Sequence, residues 1–507
     1  MKSIRMLQKY ILGDLGLLIL LALARFVVHM LANGQYGFHR DELAMFDYAR
    51  HLDWGFVDFP PLAPFIMRVG YELFGSSLPG VRLFGALAQS LAVLLAGLMA
   101  RELGGSRWAQ VTAAAATAIA PWSLLIGSVL VYTTIDYLWW VLIAYLTIRL
   151  LKTDNPKWWL GIGAVIGLGM QTKYSMVFLV AGIVAGVILT RARRHLLSPW
   201  LWAGVLLAVL IFLPNLAWQA QHDFISLDFL SSIHARDIRI GRTDTFLKDQ
   251  TYISANLVTI PLWILGLGFY FFAPAGKRYR TLGWMFVVPF ALLYTSKGRG
   301  YYLAPAYPML LAAGAAWLEG GIARLSVWKA RIAQGFSWAA LAAGFLVFCS
   351  LVLPLAPVNS SWWKKVAEIN AEFKEEIGWP DLVVAVARIY ASLPPDERAV
   401  TGIFTGNYGE AGAINLYGPA YGLPEAISGV NSYWLRGYGN PAPQTVIVLG
   451  ENSSYAYRYF QSCNFAGRIT NRYGVMNEES RAHPTILICR GVRGSWQEIW
   501  ESILHFG

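Results

Sequence analysis

An acidic pair follows the first apolar stretch of the chain, in His39-Arg40-Asp41-Glu42-Leu43, and a second acidic run, Asp53-Trp54-Gly55-Phe56-Val57-Asp58-Phe59-Pro60-Pro61, comes shortly after. An ionised side chain at a bilayer midplane costs about 2.5–3.5 kcal/mol on insertion scales, so acids kept beside greasy segments need a reason. Asp41 can serve as a base. A half-buried carboxylate holds a proton more readily, which suits it to accept one from a hydroxyl. Glu42 faces elsewhere on a helix and is cast with Asp41 as an orienting charge, with Arg40 beside them. Carboxylates are also comfortable at a helix N-terminus, which is the purely structural account of the pair.

Cations that could hold a phosphate occur far along the chain. Lys173 lies between two apolar runs in Gln171-Thr172-Lys173-Tyr174, and Lys297 and Arg299 lie in Thr295-Ser296-Lys297-Gly298-Arg299-Gly300-Tyr301-Tyr302. An arginine fork matches phosphate oxygens, and a lysine is a compact point charge for them. Snorkelling to anionic headgroups is the plainer alternative. Asp136, inside an apolar run, must pair or line a polar cavity. Asp58 and His222 are candidates for a shared metal or hydrogen-bond site, although a solvated loop histidine explains His222 more simply. Trp434, in Asn431-Ser432-Tyr433-Trp434, offers a sugar-stacking face or a packing block. The other polar-aromatic patch nearby is Asn407-Tyr408-Gly409-Glu410.

The elements that must position these residues are mostly transmembrane helices. The chain has 507 residues, 56% hydrophobic and only 14% charged, where a soluble enzyme carries roughly 25%. Apolar runs of about 18–22 residues recur. We expect eleven spans, near 11–31, 81–100, 108–125, 130–150, 158–172, 174–190, 200–218, 252–272, 282–296, 301–320 and 334–355. The net charge of +11 is topology information and no sign of a nucleic-acid partner, because the basic residues cluster in short loops. Those loops hold Arg101 and Arg107; Arg149, Lys152 and Lys157; Arg191, Arg193 and Arg194; Lys277, Arg278 and Arg280; and Arg324, Lys329 and Arg331. A cytoplasmic N-terminus makes every one of them cytoplasmic. Lys2, Arg5 and Lys9 before the first apolar run read as a retained signal anchor. The long loops 32–80 and 219–251 and the tail from 358 then share the outer face. Residues 1–357 form one transmembrane module in this reading, and 358–507 a second domain.

Within the first loop, Leu43–Leu52 and Leu62–Phe74 are amphipathic at helical spacing and are broken apart by Pro60-Pro61, which predicts two helices along the membrane surface. The tail alternates helical segments near 380–393, 407–417, 453–461 and 495–504 with strand-like runs Ala399–Phe404, Thr445–Leu449 and Thr485–Cys489, which predicts a small α/β domain. Cys463 and Cys489 fall in that tail and can pair if it lies in an oxidising compartment, or stay as two free thiols.

Taken together, these residues resemble the GT-C superfamily of membrane glycosyltransferases, in its bacterial aminoarabinose-transferase and protein O-mannosyltransferase branch. The likeness rests on Asp41-Glu42 with Asp58-Phe59-Pro60-Pro61, on Thr172-Lys173, and on the run of Lys297, Tyr301 or Tyr302, Pro305 and Pro308, and it covers residues 1–355. It implies a multi-span helical bundle that takes a monosaccharide from a polyprenyl-phosphate carrier and inverts the anomeric centre. It also implies Asp41 as the base and Lys173, Lys297 and Arg299, with Tyr301 and Tyr302, at the lipid phosphate. Aminoarabinose transferases place a lysine where this chain has Phe59, which implies different donor contacts.

The reading is therefore an inverting transferase at the outer face, acting on a lipid, glycan or protein acceptor. It requires no cofactor, and a divalent metal is an open addition. A lipid or polysaccharide flippase predicts polar residues along several spans and inverted repeats. This chain instead gathers its polar groups on one face. A non-catalytic scaffold would be indifferent to substitution of Asp41 and Lys173.

Overall fold

A computed structural model describes residues 13–507; Lys2, Arg5 and Lys9 lie outside the described residues. The chain divides into two compact units, one made of Met1–Asn33, Arg82–Gln221 and His234–Leu353, the other of Gly34–Val81, His222–Ile233 and Pro354–Gly507.

The first unit is helical throughout. Each of the eleven expected segments carries a helix: Asp14–Ala32, Leu78–Glu102, Arg107–Ala118, Tyr132–Thr153, Trp158–Met170, Met176–Leu189, Pro199–Gln221, Ile260–Phe272, Arg280–Thr295, Tyr307–Ile322 and Val327–Val352. Among the described residues, five of these helices are long and apolar enough to cross a membrane, and up to seven spans result if each bent pair counts as one. The shorter ones fall below that length for a physical reason. Trp158–Met170 has 13 residues, about 20 Å at 1.5 Å per residue, against a hydrocarbon core of about 30 Å. Hydropathy registers apolar runs, but it does not register where the backbone breaks.

Two helices of this unit leave most of their apolar surface uncovered. Only 17% of the most apolar window is buried in Pro199–Gln221, and the same holds for Val327–Val352, as expected of surfaces that meet lipid. Elsewhere glycines let helices touch. Gly266 lies against the Leu310 backbone and Gly314 against that of Leu262, the close approach that small residues permit in membrane bundles.

The second unit is α/β. Strands β1 (Thr401–Thr405), β2 (Ala426–Ile427), β3 (Thr445–Leu449), β4 (Phe460–Arg468) and β5 (Thr485–Val492) form one sheet in the order β2-β1-β3-β5-β4. β1 runs parallel to β2 and β3, whereas β5 is antiparallel to β3 and β4. The strand runs at Thr445–Leu449 and Thr485–Cys489 were expected; β2 and β4 were not. Cys463 and Cys489 are register partners across β4 and β5 and form a disulfide. Phe404, Val446, Val448, Phe460, Trp496 and Trp500 build the core on one face.

The first loop belongs to this unit. Its helices run over Arg40–Arg50 and Leu62–Phe74, with Pro61 at the N-cap of the second. The tail helix Tyr408–Tyr417 crosses Arg40–Arg50 at two glycines. A Cβ on Gly412 would stand 2.6 Å from the Leu43 carbonyl, and one on Gly409 would stand 2.9 Å from the Arg40 Cβ. Only residues without a side chain allow that approach. Polar contacts at Asn415 and Asp47 lock it. The Asn415 amide donates to Asp47 at 2.7 Å, the Arg50 guanidinium donates to the Asn415 carbonyl at 2.5 Å, and Arg436 pairs with Asp47.

Candidate active site

Asp41 stands in the first turn of Arg40–Arg50. His39 caps this helix, with its Nδ1 accepting from the Asp41 amide at 3.2 Å. Glu42, grouped with Asp41 as catalytic by its sequence, is wholly buried, and its carboxylate accepts from the His39 amide at 3.0 Å. Glu42 therefore completes a capping box and holds the helix terminus. Asp41 keeps 39% of its side chain exposed, so its carboxylate is available to an incoming group.

Tail residues surround that carboxylate. The Tyr408 hydroxyl donates to Asp41 Oδ1 at 2.9 Å. Arg40 lies 5.8 Å from the centre of the Tyr408 ring and pairs with Glu478 at 2.5 Å and Glu479 at 3.3 Å. His39 Nε2 meets Glu372 at 3.0 Å. Burial works against a charge on His39, but the Asp41 and Glu372 carboxylates outweigh it and lift the imidazole to about 9. A second proton must go on Nδ1, exchanging the cap bond for a 3.8 Å ion pair with Asp41.

Asp58 sits deeper in the same unit. It accepts from Tyr48 at 3.2 Å and from Ser432 at 3.5 Å. Burial pushes its carboxyl up to about 7, against the lowering effect of those donors. His222 lies in the same unit, yet among the described residues no three His, Cys, Asp or Glu side chains form a group that could hold a metal, so the metal pairing of Asp58 with His222 lacks a ligand set. The Trp434 indole donates to the Trp500 carbonyl at 2.7 Å, which is the packing role. Phe59 is buried at 5.3 Å from Tyr48, ring to ring.

The cations of the helical unit form a pocket of their own. Lys173 occupies the break between Trp158–Met170 and Met176–Leu189 and is 8% exposed. Its ammonium lies 3.9 Å from the Tyr302 ring centre, 5.5 Å from Tyr132 and 5.7 Å from Tyr301. Each desolvated cation–π contact of this kind contributes up to roughly 2 kcal/mol. Asp136, buried in Tyr132–Thr153, exerts a charge interaction on Lys173. Among the described residues, however, no carboxylate stands within ion-pair distance of this lysine, and Asp136 Oδ1 has no hydrogen-bond partner. Arg299 donates to Asp237 at 2.5 Å and to the Tyr301 hydroxyl at 2.9 Å, and Trp122 stacks on Tyr301 at 4.0 Å. Tyr301 thus touches both cations. Lys297 is exposed on the preceding turn at φ 53°.

Tyr408, Asp237, Tyr132 and Trp122 were not singled out by sequence. Tyr408 lies 367 residues from Asp41, and no spacing rule reaches that far. Its place in a polar-aromatic patch was the only signal.

Residues 58–218 match the family described as dolichyl-phosphate-mannose-protein mannosyltransferase. Two curated relatives are similar in sequence. A lipid A galacturonosyltransferase, RgtD, of Rhizobium johnstonii is 31% identical over 210 residues, 41% of this chain and 44% of that one. An undecaprenyl phosphate-alpha-4-amino-4-deoxy-L-arabinose arabinosyl transferase of Pseudomonas fluorescens is 27% identical over 317 residues, 58% of this chain and 55% of that one. The chain thus spans about half the length of the curated relatives it matches. Among solved structures, ArnT from Cupriavidus metallidurans superposes over 93% of this chain and 98% of its own, with a TM-score of 0.56 at 14% identity in the apo state. Bound to undecaprenyl phosphate it gives 0.52 at 15%. At these identities the likeness is one of fold.

Proposed function

We propose that this protein is an inverting glycosyltransferase that moves a monosaccharide from a polyprenyl-phosphate carrier to an acceptor hydroxyl at the outer face of a bacterial inner membrane. The observation that carries this reading is the buried cation at Lys173. A lysine taken out of water and ringed by tyrosines, with the Asp136 charge acting on it only from beyond ion-pair reach, leaves room for a closer anion. The phosphate of a lipid carrier would fill that place in an apolar bundle.

In the reaction, Asp41 takes the proton of the acceptor hydroxyl as its oxygen bonds to the anomeric carbon from the face opposite the phosphate. The anomeric C–O bond breaks, and the polyprenyl phosphate leaves with the electron pair. Lys173 and Arg299, with the hydroxyls of Tyr301 and Tyr302, stabilise the charge that develops there. The relatives' names make a lipid A hydroxyl the first acceptor to test. An odd number of crossings with a cytoplasmic N-terminus puts the 358–507 domain and the two long loops outside in this reading, with Leu62–Phe74 along the membrane surface. The basic short loops and the disulfide support that orientation.

The test supplies membranes containing the chain with undecaprenyl phosphate carrying radiolabelled galacturonic acid, 4-amino-4-deoxyarabinose or mannose, followed by lipid A extraction. One donor should be consumed. Asp41→Asn should abolish transfer at unchanged protein level, and Lys173→Gln should raise the donor KM at least tenfold. Wild-type turnover in both variants, or consumption of no donor, would rule the assignment out.

A further inference from the structure

Resting on the reading of Asp41 as the base, we infer that Tyr408 is a positioning residue for it, so that the C-terminal domain completes the catalytic apparatus. A carboxylate has two oxygens, and the surroundings of Asp41 distinguish them. Oδ1 receives the Tyr408 hydroxyl at 2.9 Å and lies 3.9 Å from Arg40 Nε. Oδ2 has His39 Nδ1 at 3.8 Å, too far for a hydrogen bond, so its lone pairs stay open whether or not that nitrogen carries a proton. Tyr408 thus pins one oxygen and leaves the other to take the proton.

The phenol is held for this task. Tyr408 is the first residue of its helix, and Asn407 caps that helix by accepting from the Gly409 amide at 2.7 Å. The Tyr433 hydroxyl donates to the Tyr408 carbonyl at 3.4 Å. Gly409 and Gly412 allow the crossing that delivers the ring to Asp41. Arg40, clasped by Glu478 and Glu479, closes the other side of the ring. Burial pushes the phenol above its ordinary range, against the pull of Arg40, so the group stays a donor at every pH at which Asp41 can act. One tail residue, Tyr408, therefore reaches the loop carboxylate, and two further tail segments hold Tyr408 and Arg40 around it, although the helix that carries Asp41 is already capped. Helix stability does not require them. A hydrogen bond to the charged form of an acid fixes its direction and favours that form.

The experiment compares wild type, Tyr408→Phe and Asp41→Asn in the full chain, with the donor consumed in the panel above, as initial rates from acid pH to about pH 9, a range that takes in the ordinary carboxylate region. Tyr408→Phe should lower kcat about tenfold, leave the donor KM within about twofold, and move the acid limb of the profile upward by about one pH unit, because the charged carboxylate has lost its donor. Genetically encoded 3-fluorotyrosine at position 408 keeps the ring and strengthens the donor, so it must move the limb the other way. An unmoved limb in both proteins overturns the inference, whether or not rate or thermal midpoint falls. Full turnover by Asp41→Asn overturns the base assignment instead, which keeps the two failures apart.

Discussion

Asp58 holds a proton that the unfolded chain gives up. Its carboxyl moves from an ordinary 3.8 to about 7 on burial. Between those values the folded state binds more protons than the unfolded one, so stability falls as pH rises through the window and the loss is complete above it. Glu375 and Glu451, both lifted to about 7 by burial, add slope of the same sign. Asp58→Asn keeps an acceptor for Tyr48 or Ser432 and cannot ionise. Thermal midpoints recorded from pH 4 to pH 7.5 should therefore decline less in the variant than in wild type, by several degrees at the upper end. An equal decline would mean that Asp58 is ionised in the fold. Asp41, Lys173 and Arg299 stand out as candidates in the sequence because each is a charge in a short polar stretch between apolar runs. Tyr408 and Asp237 do not, since each acts through a contact that only folding creates.

Among elements, the crossing of Tyr408–Tyr417 over Arg40–Arg50 places the site's parts. Overpacking a close contact costs about 1–3 kcal/mol, and a methyl at Gly412 has the Leu43 carbonyl at 2.6 Å in its way. Gly412→Ala should lower the thermal midpoint by several degrees and cut turnover, because separating the helices withdraws Tyr408 from Asp41. Gly422→Ala, in open space at φ 68°, controls for backbone strain alone and should keep turnover close to wild type. Helical periodicity made the loop helices readable, and the Pro60-Pro61 break lies beside the observed N-cap at Pro61. Strand β4 was hidden because Phe460–Arg468 has no clean alternation and carries a register shift at Phe465 and Gly467. β2, with two residues, is too short to signal. The spans were the opposite case: hydropathy found every apolar helix but could not tell a 13-residue one from a full crossing.

For the molecule as a whole, the disulfide reports on compartment. Cys463 and Cys489 close a loop with a sequence separation of 26, for which chain-entropy estimates give roughly 3 kcal/mol. Serine at both positions should lower the thermal midpoint and the steady-state amount in membranes. A thiol-reactive polyethylene glycol should label two further sites in unfolded wild-type protein only after reduction; labelling before reduction would point to a reducing surround and to the opposite orientation of the tail. One more consequence follows from the 367 residues that separate Tyr408 from Asp41. Ribosomes add about 5–20 residues per second. The acid therefore leaves the translation machinery some twenty to seventy seconds before its clasp, on that same estimate. On the proposed roles of Asp41 and Tyr408, a chain that stops short of residue 408 carries the acid without the phenol that aims it and should transfer sugar more slowly than the full chain.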